Sequence, residues 1–94
     1  MFTNERYVTR GVQYRIPVLV QCLIWCCIEA KPQPKDYLQV FQLSACKEGQ
    51  LIIHTQEEPE FKRSFAFYSE EPVTEKVYVI DDGEHTTMLL AEEY

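Results

Sequence analysis

The sequence lacks the basic surface that a nucleic-acid-binding protein needs. It carries nine lysine and arginine residues against fifteen aspartate and glutamate residues, which gives a net charge of −6. The deficit lies in the second half, because residues 1–47 carry six basic and three acidic residues whereas residues 48–94 carry three and twelve. Since binding to a phosphate backbone depends on clustered lysine and arginine, we expect no interaction with DNA or RNA.

The sequence also lacks a hydrophobic run long enough to cross a membrane. Its most apolar stretch, residues 17–30, has fourteen residues, whereas a transmembrane helix needs about 20. The first residues contain no basic segment of the kind that opens a secretory signal peptide. We therefore expect a cytoplasmic protein that does not bind membranes and keeps its four cysteines reduced.

Low-complexity segments, internal repeats and recognisable catalytic motifs are missing as well. The 94 residues are 46% apolar and 26% charged, which is typical of an ordinary globular protein. A chain of this length buries one modest core. We therefore expect residues 1–94 to form a single domain.

One segment, residues 17–30, predicts a substantial helix. Pro17 suits the first helical turn, where its missing N–H has no partner to lose, and Pro32 and Pro34 end the helix. No Ser, Thr, Asp or Asn precedes Pro17 to cap the helix. At 100° per residue, one side is formed by Leu19, Leu23, Cys26, Cys27 and Ala30, and we expect this side to pack on a sheet.

The rest of the chain predicts β-strands, because its segments alternate in polarity and are rich in β-branched and aromatic residues. Asp82-Gly83 between two such segments indicates a tight hairpin turn. The predicted strands are residues 6–10, 37–46, 51–56, 61–68, 76–80 and 85–90. The fold class is therefore α+β: a single antiparallel β-sheet of about five to six strands with one main helix packed on one face, in the order β-α-β-β-β-β-β.

The second side of the predicted helix indicates an interaction surface. Gln21 and Glu29 share that side with apolar residues, and a single sheet covers only one side of a helix. A second apolar side needs another partner. The predicted interface residues are Val18, Cys22, Trp25 and Ile28, and the predicted partner is a second copy in a homodimer or another protein.

The cysteines are the first candidates for chemistry. Cys22 and Cys26 lie one turn apart on a helix, and Cys46 with His54 or His85 could complete a zinc site. The spacing within an apolar helix is unlike that of zinc knuckles, which place two thiolates around a tight turn. We favour buried thiols that act as small hydrophobic groups, and we expect no metal and no other cofactor.

The turn at residues 81–85 is the best polar cluster of the sequence. Asp81, Asp82, Glu84 and His85 could hold a divalent cation or act in acid–base catalysis. Consecutive residues in a hairpin point to opposite faces, however, and the spacing fits no calcium-binding loop. Turn chemistry with a solvated tip is the favoured interpretation, and these four residues are only weak candidates for a polar site.

Several blocks of the sequence resemble a known family. They are residues 1–11 (MFTNERYVTRG), 36–41 (DYLQVF), 79–84 (VIDDGE), 87–90 (TMLL) and 92–94 (EEY). They resemble a family of small proteins from Gram-positive bacteria classified as domain of unknown function number nine hundred and sixty. The resemblance covers essentially the whole chain and implies a cytosolic bacterial protein, but it implies no activity.

Two main hypotheses for function follow. The leading one is a non-enzymatic module that self-associates or binds a protein partner. The alternative is an enzyme that depends on a small ligand or a metal, with its site near the hairpin at residues 81–85. A third possibility is that the acidic residues 57–93 mimic nucleic acid. Enzyme activity stays open on the sequence alone, and no catalytic residue is assigned.

Overall fold

The structure of the protein is a computed structural model that describes residues 2–94. It contains six strands, two helices and a final 3-10 helical turn, Ala91–Glu93. In chain order the elements are β1 (Glu5–Val8), α1 (Arg10–Arg15), α2 (Val18–Ala30), β2 (Leu38–Cys46), β3 (Gly49–Gln56), β4 (Phe61–Phe67), β5 (Glu75–Asp81) and β6 (His85–Leu90). None of the helices in the described residues is both long and apolar enough to span a bilayer.

The six strands form one mixed sheet in the order β1-β6-β5-β2-β3-β4. Neighbouring strands are antiparallel except β1 and β6, which run parallel with Glu5 beside His85 and Val8 beside Met88. The α+β class with one main helix is confirmed, but the prediction of a purely antiparallel sheet is wrong. The first strand pairs with the last, and no local turn specifies the direction of such a distant partner.

A second helix that the sequence analysis missed follows β1. The predicted strand over residues 6–10 ends early, at Val8, and Thr9 caps α1 by accepting a hydrogen bond from the backbone N–H of Val12 at 3.3 Å. Val12 and Ile16 are both buried in the core. The hydroxyl of Thr9 three residues before a buried valine was the available signal for this helix.

The main helix has the predicted extent but not the predicted orientation. Pro17 precedes its first turn without a side-chain cap, and the Gln21 amide donates to the backbone oxygen of Ile16 at 2.8 Å instead. The buried residues are Val20, Ile24 and Ile28, one helical turn apart from one another. Leu19, Cys26 and Ala30, which were expected to face the sheet, are exposed.

The core lies between the helices and one face of the sheet. Val20, Ile24 and Ile28 of α2 pack there with the inward residues of the four central strands. Those inward residues are Phe41 and Leu43 of β2, Ile52 of β3, Val77 and Val79 of β5, and Met88 and Leu90 of β6. The strands alternate strictly, so their intervening residues all lie on the opposite face of the sheet.

Candidate interaction surface

No described helix packs on the opposite face of the sheet, which we call the uncovered face. Not one strand residue on it is buried, whereas most inward residues of the central strands are. Its centre is nevertheless apolar and half-buried by neighbouring side chains. The large apolar residues there are Leu38 and Val40 of β2, Leu51 and Ile53 of β3, Tyr78 and Ile80 of β5, and Leu89 of β6.

Charged side chains on the uncovered face stay outside this apolar centre. The strand register places Glu5 on the edge strand β1, Lys62 on the other edge strand β4, and Lys76 at the start of β5. At the β1 edge the Tyr7 hydroxyl donates to Glu5 Oε2 at 2.8 Å, and this hydrogen bond raises the pKa of Tyr7. On this face, the four central strands therefore carry no carboxylate, lysine or arginine except Lys76.

The end of the chain contacts the uncovered face at one point. The ring of Tyr94 meets the ring of Tyr78 edge to face, with centroids 5.5 Å apart. Tyr94 itself remains largely exposed. A large aromatic residue held at the margin of an apolar surface adds contact area for a partner at low entropic cost.

The four predicted interface residues of α2 lie in different environments. Val18 is 72% exposed and Cys22 is exposed, so both lie on the outer surface of the helix. Trp25 is half-buried, with the guanidinium of Arg6 4.7 Å from its ring centroid. Ile28 is only 1% exposed and belongs to the core, so it is not available to a partner in this structure.

The structure does not gather the cysteines and histidines into a metal site. Within residues 2–94, no three histidine, cysteine, aspartate or glutamate side chains are close enough to hold a metal ion together. The expectation that the helix thiols are buried is wrong for Cys22 and Cys26, which are exposed, while Cys27 is half-buried. Burial raises the pKa of Cys27, with a smaller effect from neighbouring Cys26.

Asp81, the first residue of the predicted polar cluster, points into the protein. Its carboxylate accepts hydrogen bonds from the backbone N–H of Phe2 at 2.6 Å, from the Asn4 amide at 3.0 Å and from the backbone N–H of Gly83 at 2.8 Å. Burial raises the pKa of Asp81, but these hydrogen bonds outweigh it and hold the pKa below its usual value. The residue thus fastens the N-terminal segment to the end of β5.

The other three members of the cluster lie apart from Asp81. Asp82 accepts hydrogen bonds from the backbone N–H groups of Glu84 and His85, which lower its pKa and close the turn. Glu84 is exposed, and the ring of His85 meets the ring of Tyr7 edge to face on the uncovered face, with centroids 5.1 Å apart. No pocket forms on the described surface, at this hairpin or elsewhere in residues 2–94.

The residues of the uncovered face were the part of the site that sequence reasoning missed. A signal existed, because the predicted strand over residues 37–46 has apolar residues on both of its faces. A strand with one solvated face alternates between apolar and polar residues instead. The strand Phe61–Phe67 follows that simple alternation, with its phenylalanines on the helix side and Lys62 and Ser64 on the other.

Comparisons with known proteins agree with this fold. A crystal structure of a protein of unknown function from Enterococcus faecalis superimposes with a TM-score of 0.84 at 23% sequence identity, covering 100% of this chain and 93% of that one. No curated protein matches the chain. A family model described as "Staphylococcal protein of unknown function (DUF960)" matches residues 5–93. The chain therefore belongs to this family of staphylococcal proteins of unknown function.

Proposed function

We propose that the protein is a non-enzymatic module that associates with a second copy of itself through the uncovered face of the sheet. The observation that carries this proposal is the contrast between the two faces. The helices bury one face completely at its centre, and the other leaves seven large apolar side chains only half-buried. Contiguous apolar patches of this kind mark interaction sites in soluble proteins.

The size of the uncovered face suits a stable dimer. Strands of the observed lengths, about 4.8 Å apart and rising about 3.3 Å per residue, cover on the order of 650 Å² of sheet. Stable protein complexes bury about 800 Å² per partner. This value is the flat area of the sheet. Because side chains project from the sheet and Tyr94 adds its own surface, two copies that meet face to face would bury an area comparable to about 800 Å² each.

The charge distribution also favours a second copy as the partner. The net charge of −6 opposes the approach of two identical molecules. Most of the carboxylates lie in turns and at the chain end, at positions such as Glu57, Glu70 and Glu92, and the apolar centre of the face carries none. Two copies can therefore meet on the apolar centre of this face without bringing carboxylates together.

The enzyme hypothesis receives no comparable support from the hairpin. Asp81 is committed to hydrogen bonds with the N-terminal segment, and Asp82 to the backbone of its own turn. His85 lies on the opposite face from Asp81. Self-association uses the apolar residues of the uncovered face and requires no such polar cluster, so it is the function that the geometry supports best.

Sedimentation equilibrium of the wild type and of two glutamate variants tests the proposal. Val40→Glu places a charge in the middle of the uncovered face, and Leu19→Glu places the same charge on the exposed surface of α2. We expect the wild type and Leu19→Glu to be dimers at micromolar concentration, and Val40→Glu to dissociate at least a hundredfold more readily. Far-ultraviolet circular dichroism checks that each variant is folded.

Other results would overturn the proposal. A wild type that stays monomeric at high micromolar concentration excludes self-association. A dimer that Leu19→Glu disrupts and Val40→Glu leaves intact places the interface on α2 instead. A monomer that binds a different protein, with binding lost in Val40→Glu, would keep the face as an interaction site but refute a second copy as its partner.

A further inference from the structure

We infer that the dimer is a β-sandwich whose two-fold axis runs parallel to the strands, so that β2 of one protomer lies over β5 of its partner. This inference rests on the proposed self-association through the uncovered face. It follows from the order of residues along the two central strands. Sandwiches of this kind, with nearly aligned strands about 10 Å apart, are a common way for two sheets to pack.

The two central strands form three matched rows on the uncovered face. Their antiparallel register pairs Leu38 with Ile80, Val40 with Tyr78, and Gln42 with Lys76. Two rows are thus apolar and the third is polar. How well two copies fit together therefore depends on which row of one protomer lies over which row of the other.

An axis parallel to the strands, between β2 and β5, brings each row over the same row of the partner. Leu38 then meets the partner's Ile80, and Val40 meets the partner's Tyr78. In the third row the Gln42 amide oxygen faces the ammonium group of the partner's Lys76, which can donate to it. In this arrangement each row lies at the same position along the strands as the same row of the partner. Apolar side chains therefore pack against apolar ones, and the polar side chains are paired.

An axis perpendicular to the strands, in the plane between the sheets, gives a worse match. Such an axis reverses the order of the rows, so that the row containing Lys76 lies over an apolar row of the partner. A lysine ammonium pressed against aliphatic side chains loses its hydration without a partner. Sliding the sheets in one direction moves Leu51 and Ile53 beyond the end of the partner's sheet, and sliding them in the other brings the two Lys76 ammonium groups together.

The native Cys46 distinguishes the two arrangements. It lies near the end of β2, on the uncovered face, six residues from the Val40 row. With the parallel axis the two copies of Cys46 lie at the same height, about 10–20 Å apart given the strand and sheet spacings and the usual crossing angle. With a perpendicular axis through the Val40 row they lie about 40 Å apart.

Cross-linking of the full-length dimer with a flexible bismaleimide tests the inference. The variant Cys22→Ser/Cys26→Ser removes the exposed helix thiols and leaves Cys46 together with Cys27, which lies in the helix layer and is also present in the control. We expect it to form covalent dimers. The matched control Cys46→Ser keeps Cys22 and Cys26, which lie on the far side of the helix layer, and should form none. Mass spectrometry after a monofunctional maleimide verifies that Cys46 is accessible.

The outcomes separate this inference from the proposed function. If sedimentation shows a dimer and Cys46 reacts with the monofunctional reagent without cross-linking, the parallel axis is wrong and the proposed function stands. If the control Cys46→Ser cross-links as well as the first variant, the interface involves α2 and both ideas fail. If the wild type is monomeric, both ideas fail too.

Discussion

The Nε2 atom of His54 lies 2.7 Å from the Oε1 atom of Gln39 in the core beneath the helices. The Gln39 amide nitrogen donates to the backbone oxygen of Asp36 and to Oε1 of Gln56. The Gln56 amide nitrogen in turn donates to the backbone oxygen of Pro59. Because these backbone groups fix both amides, Gln39 can only accept from His54, and the Nε2 atom of His54 therefore carries a proton.

The buried His54 makes stability depend on pH. Burial, and then the charges of Lys31 and Arg63, lower its pKa from 6.5 to about 4. Between these values the unfolded chain binds a proton that the folded protein does not. The free energy of unfolding should therefore fall as the pH falls through this window, by up to about 3 kcal/mol in total and by about 2 kcal/mol at pH 5.

Urea denaturation at pH 7 and pH 5, at one fixed protein concentration, measures this loss. His54→Gln removes the titrating group while keeping a donor for Gln39, so its stability should change much less between the two pH values. His85→Gln alters the other histidine, which is not buried, and should keep the wild-type dependence. A wild type equally stable at both pH values contradicts the prediction.

Asp81 should be the carboxylate of the hairpin whose loss costs the most stability. Asp81→Asn weakens the hydrogen bonds that hold Phe2 and Asn4, and we expect it to lower the free energy of unfolding by about 1–3 kcal/mol. The amide hydrogen of Phe2 should also exchange faster with solvent. Glu84→Gln, at the exposed turn, is the matched control and should change stability by less than about 0.5 kcal/mol. Equal effects of the two variants would refute this role for Asp81.

The strands and the last hairpin could be predicted because their signals are local. Alternation with a period of two marks β2 to β6, and the predicted bounds differ from the observed ones by no more than two residues. Gly83 has a positive φ of 100°, as the Asp-Gly pair of the turn requires. These features depend on neighbours along the chain, which the sequence displays directly.

The orientation of α2 and the direction of β1 could not be predicted because they depend on distant contacts. Thirteen nearly uniformly apolar residues define no unique buried side. What fixes the helix is Gln21, which bonds to the end of α1, and Arg6 of β1, which contacts both Trp25 and Glu29. In a helix without a polar stripe, tertiary contacts determine which side is buried.

The three thiols of α2 should react in an order set by their exposure. Cys22 and Cys26 are exposed, whereas Cys27 is half-buried with its pKa raised by burial. Because the thiolate is the reactive form, we expect an aromatic disulfide reagent at pH 8 to modify Cys22 and Cys26 first and Cys27 last. Peptide mapping of the partly modified protein identifies the sites. Modification of Cys27 ahead of Cys22 would show that the helix faces are reversed.

Two alanine substitutions in α2 test directly which side of the helix is buried. Ile28 is 1% exposed and packs in the core, so Ile28→Ala should lower the free energy of unfolding by about 2–5 kcal/mol through lost contacts and a cavity. Leu19 is 63% exposed, so Leu19→Ala should change it by less than about 0.5 kcal/mol. Urea denaturation of both variants, monitored by circular dichroism, gives the comparison. If Leu19→Ala costs more than Ile28→Ala, α2 packs on the sheet through the opposite side and the core described here is wrong.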